Sequence, residues 1–199
     1  MRDNTFFISD THFGHEGVLD FCARPFKTAA QMDAAMITAW NSVVGPRDTV
    51  VHGGDFAFCS AERAQFIFDK LNGKKVLVRG NHDRNKHLKL GWESVHEILD
   101  TRIAGQRIIV CHYPMREWPG YYRNAIHLFG HSHSSMPSSN RALDIGVDNI
   151  GFTPLRLPDL QKIMDDLPAS EWRRGHAPDP KKQLGVDDSE DADDVGLKV

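Results

Sequence analysis

No apolar run in the chain approaches the roughly 20 residues that a membrane-spanning helix needs, so no membrane partner is expected. Cysteine is scarce: Cys22, Cys59 and Cys111 are odd in number, widely spaced and part of no paired motif. That excludes a disulfide framework, suits a reducing cytoplasm and leaves the three thiols as small buried hydrophobes. The N-terminus lacks the apolar core of a signal peptide, because Met1-Arg2-Asp3-Asn4 runs straight into strand-like Thr5-Phe6-Phe7-Ile8. A cytoplasmic location is therefore the expectation. An excess of positive charge is missing as well. The net charge is −3, and residues 174–199 alone hold four basic against seven acidic residues. The rest is neutral and offers no long electrostatic track for nucleic acid, so any anion binding must be local.

At 199 residues the chain suits one domain with a sizeable core. We expect this domain over residues 1–168 and an acidic, solvated tail over 169–199, where periodic apolar residues give way to Asp, Pro, Lys and Gly. Such a tail buries little. Truncation after Ala169 is expected to leave folding and activity nearly unchanged, and a large fall in melting temperature would show that the tail is docked.

The body alternates strand and helix signals. A strand over 5–9 precedes a helix from Thr28 with Met32, Met36, Trp40 and Val43 on one face, ended by Gly45-Pro46. A strand over 49–52 precedes a helix capped by Ser60, with Ala64, Ile67, Phe68 and Leu71 inward and Asn72-Gly73 at its end. A strand over 74–78 follows, and this βαβ rhythm implies an α/β fold with partly parallel strands and right-handed crossovers. The polar run from Arg84 to Lys89 reads as a solvated helix face. Further strands are expected over 107–111, 126–129 and 142–147, and a last amphipathic helix from Pro158 with Leu160, Ile163, Met164 and Leu167.

Chemistry sits where the strands stop. The strand over 74–78 runs into Arg79-Gly80-Asn81-His82-Asp83, and the first strand into Asp10-Thr11-His12-Phe13-Gly14-His15. The others end in Gly53-Gly54-Asp55, in His112 and in Gly130-His131-Ser132-His133. Strand ends deliver side chains to the rim of a sheet, where α/β folds bind ligands. Each piece alone is weak, since Gly-Asn beside polar residues is ordinary turn chemistry; five together are not. His52 and His127 lie inside strands and are expected to be structural.

Asp10, His12, Asp55, Asn81, His82, His112, His131 and His133 form a mixed nitrogen and oxygen set without thiolate. That argues against a closed structural zinc site and suits Mn²⁺, Fe, Zn²⁺, Co²⁺ or Ni²⁺ better than Ca²⁺ or Mg²⁺. The set exceeds the needs of one ion. Two ions about 3.5–4 Å apart, with Asp55 as the candidate shared carboxylate, use it economically. Such a pair suits hydrolysis at phosphorus: it makes hydroxide available at neutral pH and neutralises charge on the phosphoryl oxygens. A histidine beside the metals but not ligating them would then protonate the leaving oxygen. For substrate contacts the candidates are Arg84, next to His82, together with His15, Tyr113 and Arg116. Tyr113 and Arg116 belong to a loop of aromatics and arginines that either stacks a base and binds phosphate or is simply a self-packed surface loop.

The ordered series Asp10-Thr11-His12, Gly54-Asp55, Gly80-Asn81-His82-Asp83, His112 and Gly130-His131-Ser132-His133 resembles the calcineurin-like metallophosphoesterase superfamily over about residues 5–133. Within it the chain is similar to small bacterial and phage-type phosphoesterases, through Ile8-Ser9-Asp10-Thr11-His12-Phe13-Gly14-His15 and His112-Tyr113-Pro114-Met115. The resemblance implies a four-layer α-β-β-α sandwich with two mixed β-sheets. It also implies that one metal takes Asp10, His12, Asp55 and His133 while the other takes Asp55, Asn81, His112 and His131, with His82 as the non-ligand acid facing the leaving group. Manganese is the first expectation for both ions.

After Gly54-Asp55 comes Phe56-Ala57-Phe58, without the further Asp and Arg of the superfamily's protein Ser/Thr phosphatases. A phosphoprotein substrate is therefore disfavoured, and the lack of a large cap domain favours small phosphate esters. The leading expectation is a dinuclear phosphoesterase acting on phosphodiesters or phosphomonoesters of nucleotide type. Two alternatives stand beside it. One is a nuclease on single-stranded nucleic acid, with Arg24, Arg79, Arg84, Arg116 and Arg123 as a local basic path; the neutral body weighs against it. The other is a non-catalytic scaffold, which the complete ligand set disfavours.

Overall fold

The computed structural model describes residues 4–169, so the expected acidic tail lies outside the described residues apart from its first position. In chain order the first elements are β1 (Thr5–Ile8), α1 (Gly17–Phe21), α2 (Ala29–Val43), β2 (Thr49–His52), α3 (Ala61–Lys70), β3 (Lys74–Val78), α4 (Asn85–Leu88) and β4 (Ser94–His96). They are followed by β5 (Ile98–Ile103), β6 (Gln106–Cys111), β7 (Ile126–Phe129), β8 (Ala142–Asp144), α5 (Val147–Ile150), β9 (Leu155–Arg156) and α6 (Leu157–Asp165).

Two mixed sheets result, as expected. The first has the order β4-β3-β2-β1-β9, with β1 to β4 parallel and β9 antiparallel to β1. The second has the order β5-β6-β7-β8, antiparallel at β5 and parallel elsewhere. In the first sheet Ile8 pairs with His52 and His52 with Leu77, so β1, β2 and β3 end level and their following loops share one rim. At that rim the sheets are stitched together: Ser9 N–H donates to Ile145 O at 2.9 Å, and Val147 N–H donates to Ser9 O at 3.1 Å.

Strand alternation divides the core. Phe7, Val51, Val76 and Val78 point between the sheets, against Ile108, Val110, Leu128 and Leu143. Phe6, Ile8 and Val50 point the other way, against Met32, Met36 and Trp40 of α2 and Ala64 and Ile67 of α3. The outer face of the second sheet is covered by Trp118, Tyr121 and Ala125 packed on Ile109, so residues 113–125 with their 3₁₀ turn Tyr121–Arg123 supply the layer there. Leu160 and Met164 of α6 join the inter-sheet core.

Ser60 caps α3 as expected, accepting from Arg63 N–H at 3.2 Å, and Thr28, where the preceding helix was expected to begin, caps α2 by accepting from Gln31 N–H at 3.2 Å. Three expectations need correction. Val43 faces outward while Val44, extended after the helix end, is buried in its place. The strand expected over 142–147 stops at Asp144, because its carboxylate accepts Gly146 N–H at 2.7 Å and turns the chain into α5. His87, read as part of a solvated face, is buried.

Trp40 is fully buried and its indole N–H donates to Asn72 O at 3.0 Å. Trp40→Ala is expected to cost about 3–5 kcal/mol, read as a melting temperature lower by roughly 10 °C or more. A change within about 2 °C would mean that α2 is not part of the cooperative core.

Candidate metal centre

The rim gathers Asp10, His12, Asp55, Asn81, His112, His131 and His133 in two adjoining groups. His12 Nε2 lies 3.6 Å from Asp55 Oδ2 and 4.0 Å from Asp10 Oδ1. Ligand atoms of Asp10, His12 and His133 lie within 4.8 Å of one another, as do those of Asp10, Asp55 and His112. On the other side His112 Nε2 is 3.4 Å from Asp55 Oδ2, and both His112 Nε2 and His131 Nδ1 are 3.0 Å from Asn81 Oδ1. Asp55 Oδ2 thus sits between the imidazoles of His12 and His112.

Backbone geometry sets these residues apart from ordinary turns. Nine non-glycine residues among those described have left-handed φ, and five of them are Asp10, His12, Asp55, His131 and His133. Such conformations cost of the order of 1–3 kcal/mol each and persist only when the surroundings impose them. Buried carboxylates outside the ligand set impose them here. Asp83 accepts from the N–H groups of Asp55, Phe56 and Gly80 at 2.8, 3.0 and 2.8 Å, clamping the loops after β2 and β3 together. Asp144 accepts from Ser132 Oγ and Ser134 N–H in the last loop, and Asp33 from Gly14 N–H after the first. Asp148 accepts from His133 Nδ1 at 2.7 Å and from Arg24 Nε and Nη2, both at 2.8 Å. Arg24 also donates to the carbonyls of Asp10 and Thr11, so one guanidinium ties the first loop to the ligand of the last.

Close approach explains two of the glycines. A Cβ on Gly80 would overlap Asp55 Oδ1, and a Cβ on Gly130 would overlap Asp10 Oδ2 and Ser9 Oγ. Each carboxylate takes a backbone N–H from the loop it abuts: Asp55 Oδ1 from His82 at 2.8 Å, and Asp10 from His131 at 3.1 Å. His112 Nδ1 donates to Gly53 O at 3.0 Å, which leaves Nε2 turned to the centre.

The electrostatics fit a cation between these groups. Burial pushes the Asp10 carboxyl up to about 7 and the His12 imidazole down to about 3. Burial also raises Asp55, but its hydrogen bond and charge interaction with His112 prevail and hold it down at about 2. Burial opposes protonation of His112 and His133 too; partners Asp55 and Asp148 outweigh it and raise both. His12 Nε2 is buried without a hydrogen-bond partner although two carboxylates face it. A buried nitrogen lone pair beside two carboxylates is poorly satisfied by protein alone and well satisfied by a divalent cation.

His82 lies on the edge of this cluster. Its ring is edge-on to His12 at 5.5 Å, its Nε2 is 4.0 Å from Asp55 Oδ2, and 39 % of its side chain is exposed. His15 stacks on Phe58 at 4.3 Å between ring centres, and Tyr113 packs against His131 at 4.8 Å, so both border the centre. Arg84 lines a cavity that His82 shares. Arg116 does not join them; it lines a different cavity with Met115, Trp118 and Met136. The basic path drawn from the sequence does not form as expected. Arg24 is buried in its bonds to Asp148 and the first loop, and Arg79 pairs with Glu97 at 3.3 Å.

His52 and His127 are structural, as expected. His52 Nδ1 accepts Gly54 N–H, Nε2 meets Thr11 Oγ1 at 3.0 Å, and burial lowers the ring to about 3. His127 Nε2 accepts Met115 N–H while Nδ1 donates to Ile109 O. Of the cysteines only Cys111 is buried; Cys22 and Cys59 are partly exposed, and Cys22 adjoins His133 and Asp148. Residue types alone did not single out Asp33, Asp144 or Asp148 as parts of the site, and they offered Arg24 only as part of a basic path, not as the buried clamp it forms.

Comparison with known proteins agrees with this geometry. The family described as a calcineurin-like phosphoesterase superfamily domain matches residues 4–151. An uncharacterized protein of Methanocaldococcus jannaschii is 26% identical over 169 residues, covering 80% of this chain and 90% of its own. The Gene 66 protein of Mycobacterium phage L5 is 29% identical over 198 residues, covering 81% and 93%. Among solved structures, a protein of unknown function from Aquifex aeolicus superposes with a TM-score of 0.63 at 25% identity, covering 80% of this chain and 98% of that one. No helix among the described residues is long and apolar enough to cross a membrane.

Proposed function

The chain belongs to the calcineurin-like phosphoesterase superfamily and is a metal-dependent phosphoric ester hydrolase; from that premise we propose a dinuclear enzyme that hydrolyses phosphodiester or phosphomonoester bonds in small, nucleotide-type substrates. The observation that carries the dinuclear reading is Asp55 Oδ2, placed 3.6 Å from His12 Nε2 and 3.4 Å from His112 Nε2. Asp10, His12, Asp55 and His133 would hold one divalent ion, and Asp55, Asn81, His112 and His131 the other, with manganese first and iron, zinc, nickel or cobalt as alternatives. When bound, such ions supply an activated water and charge neutralisation at the phosphoryl oxygens.

The remaining work falls to the chain's own residues. His133 is oriented by Asp148, and His112 by Gly53 O, so that Nε2 of each faces inward. His82 is held through its N–H by Asp55 Oδ1 while its ring stays accessible, as suits a group that gives its proton to the leaving oxygen. In that step a bond forms from water oxygen to phosphorus and the P–O bond to the leaving group breaks. The leaving oxygen takes its proton from His82. Exposed Phe21, Phe58 and Tyr113 surround the centre, a rim suited to a planar base.

The test is hydrolysis of bis-p-nitrophenyl phosphate against p-nitrophenyl phosphate by metal-stripped protein titrated with Mn²⁺. Manganese-dependent turnover that is abolished in Asp55→Asn is expected. Diester turnover makes the enzyme a phosphodiesterase, and monoester turnover alone makes it a phosphatase. Tight metal binding without turnover of either ester would instead favour a scaffold.

A further inference from the structure

Next to His82 the surface sinks into a cavity of about 270 Å³ lined by Phe58, Cys59, His82, Arg84, Lys86 and His87. Four of these six are histidine, arginine or lysine, and no carboxylate lines it. The Arg84 guanidinium has no hydrogen bond or ion pair among the described residues. Lys86 Nζ spends one donor on Cys59 O at 2.5 Å, which fixes the ammonium beside the cavity and leaves its other hydrogens free. His87 is only 2% exposed, and its Nε2 lies 3.4 Å from the same Cys59 O, so its ring backs the Lys86 side of the cavity. Arg84 and Lys86 thus bring free donors to a cavity whose lining holds no carboxylate, the chemistry of a site for an oxyanion.

We propose that this cavity is a leaving-group subsite for a second phosphoryl group. The preferred substrate is then a small phosphodiester whose leaving nucleoside carries a further phosphate, as in a phosphorylated dinucleotide. The assignment rests on the reading that His82 faces the leaving oxygen, since the same ring lines the cavity and packs edge-on to His12 of the metal centre. The bond broken joins phosphorus to the leaving nucleoside oxygen, which takes the His82 proton. The nucleoside's own phosphate reaches Arg84 and Lys86. Phe58, 43% exposed and backed on one side by stacked His15, offers its ring at the cavity mouth to the leaving base.

Three substrates for the manganese-loaded enzyme test this: dithymidine monophosphate, the same compound with a 5′-phosphate, and the same compound with a 3′-phosphate. Whichever ester bond breaks, one of the phosphorylated pair carries its charge on the leaving nucleoside. That compound is expected to show kcat/KM about tenfold or more above the unphosphorylated parent, mostly through KM. In Arg84→Ala/Lys86→Ala the advantage should shrink to about twofold or less. Equal kcat/KM for all three with wild type, or an advantage that survives the double variant, overturns the subsite alone. Absence of manganese-dependent turnover of these and of bis-p-nitrophenyl phosphate overturns the parent reading with it. A ten-nucleotide oligothymidylate cut faster than either dinucleotide would overturn the small-substrate class in favour of a nucleic-acid strand.

Discussion

Replacing His82 with alanine is expected to lower turnover of alkyl phosphodiesters by about 10²–10⁴-fold while metal content stays at the wild-type level. The contrast follows from placement. Asp55 Oδ1 takes the His82 backbone N–H, which alanine retains, and the His82 ring ligates nothing in the cluster. An alkyl leaving oxygen departs as a strong base unless it is protonated, so its loss is fully felt. A p-nitrophenolate needs no proton, and the same variant should lose far less on bis-p-nitrophenyl phosphate. Parallel assays of both esters, with metal measured in the same preparations, decide the point. Equal losses on the two leaving groups would assign His82 to phosphate binding, and a loss of metal would assign it to the ligand set.

The candidate ligand loops were legible because metal chemistry dictates residue type and the close approach of carboxylates dictates the glycines. Gly80 and Gly130 abut Asp55 and Asp10 across the rim, so each appears as a punctuation mark just before a ligand. The first sheet was legible for a related reason: β1, β2 and β3 are apolar and separated by helices with clear caps. Around the second sheet the signal weakens. Its edge strand β5 is interrupted by Asp100-Thr101-Arg102, and its outer layer is an aromatic loop without helical period. Least visible were the clamps. Arg24 and Asp148 are 124 residues apart, and in sequence a lone arginine beside a proline looks like a surface charge. Nothing local distinguishes a carboxylate that will meet a ligand histidine from one that will meet water. His87 was hidden the same way, inside a run of charges whose other members are exposed or half-buried except Asp83.

Asp148→Ala is expected to lower stability and metal affinity together, and it separates two functions of one carboxylate. The Arg24 side chain is fully buried and its Nε and Nη2 both donate to Asp148. Removing the acid strands that guanidinium, with an expected cost of about 3–5 kcal/mol, read as a markedly lower melting temperature. It also frees His133 Nδ1 from the acceptor that orients the ring, for which a loss of about 10–100-fold in metal affinity is expected. The double variant Arg24→Met/Asp148→Leu removes the stranded charge along with its partner. It should recover most of the stability, yet its metal affinity, measured by competition with a chelator, should stay depressed because His133 is still unheld. Recovery of both would mean that Asp148 matters only as the counterion of Arg24, and that the short bond to His133 Nδ1 contributes nothing to the metal centre.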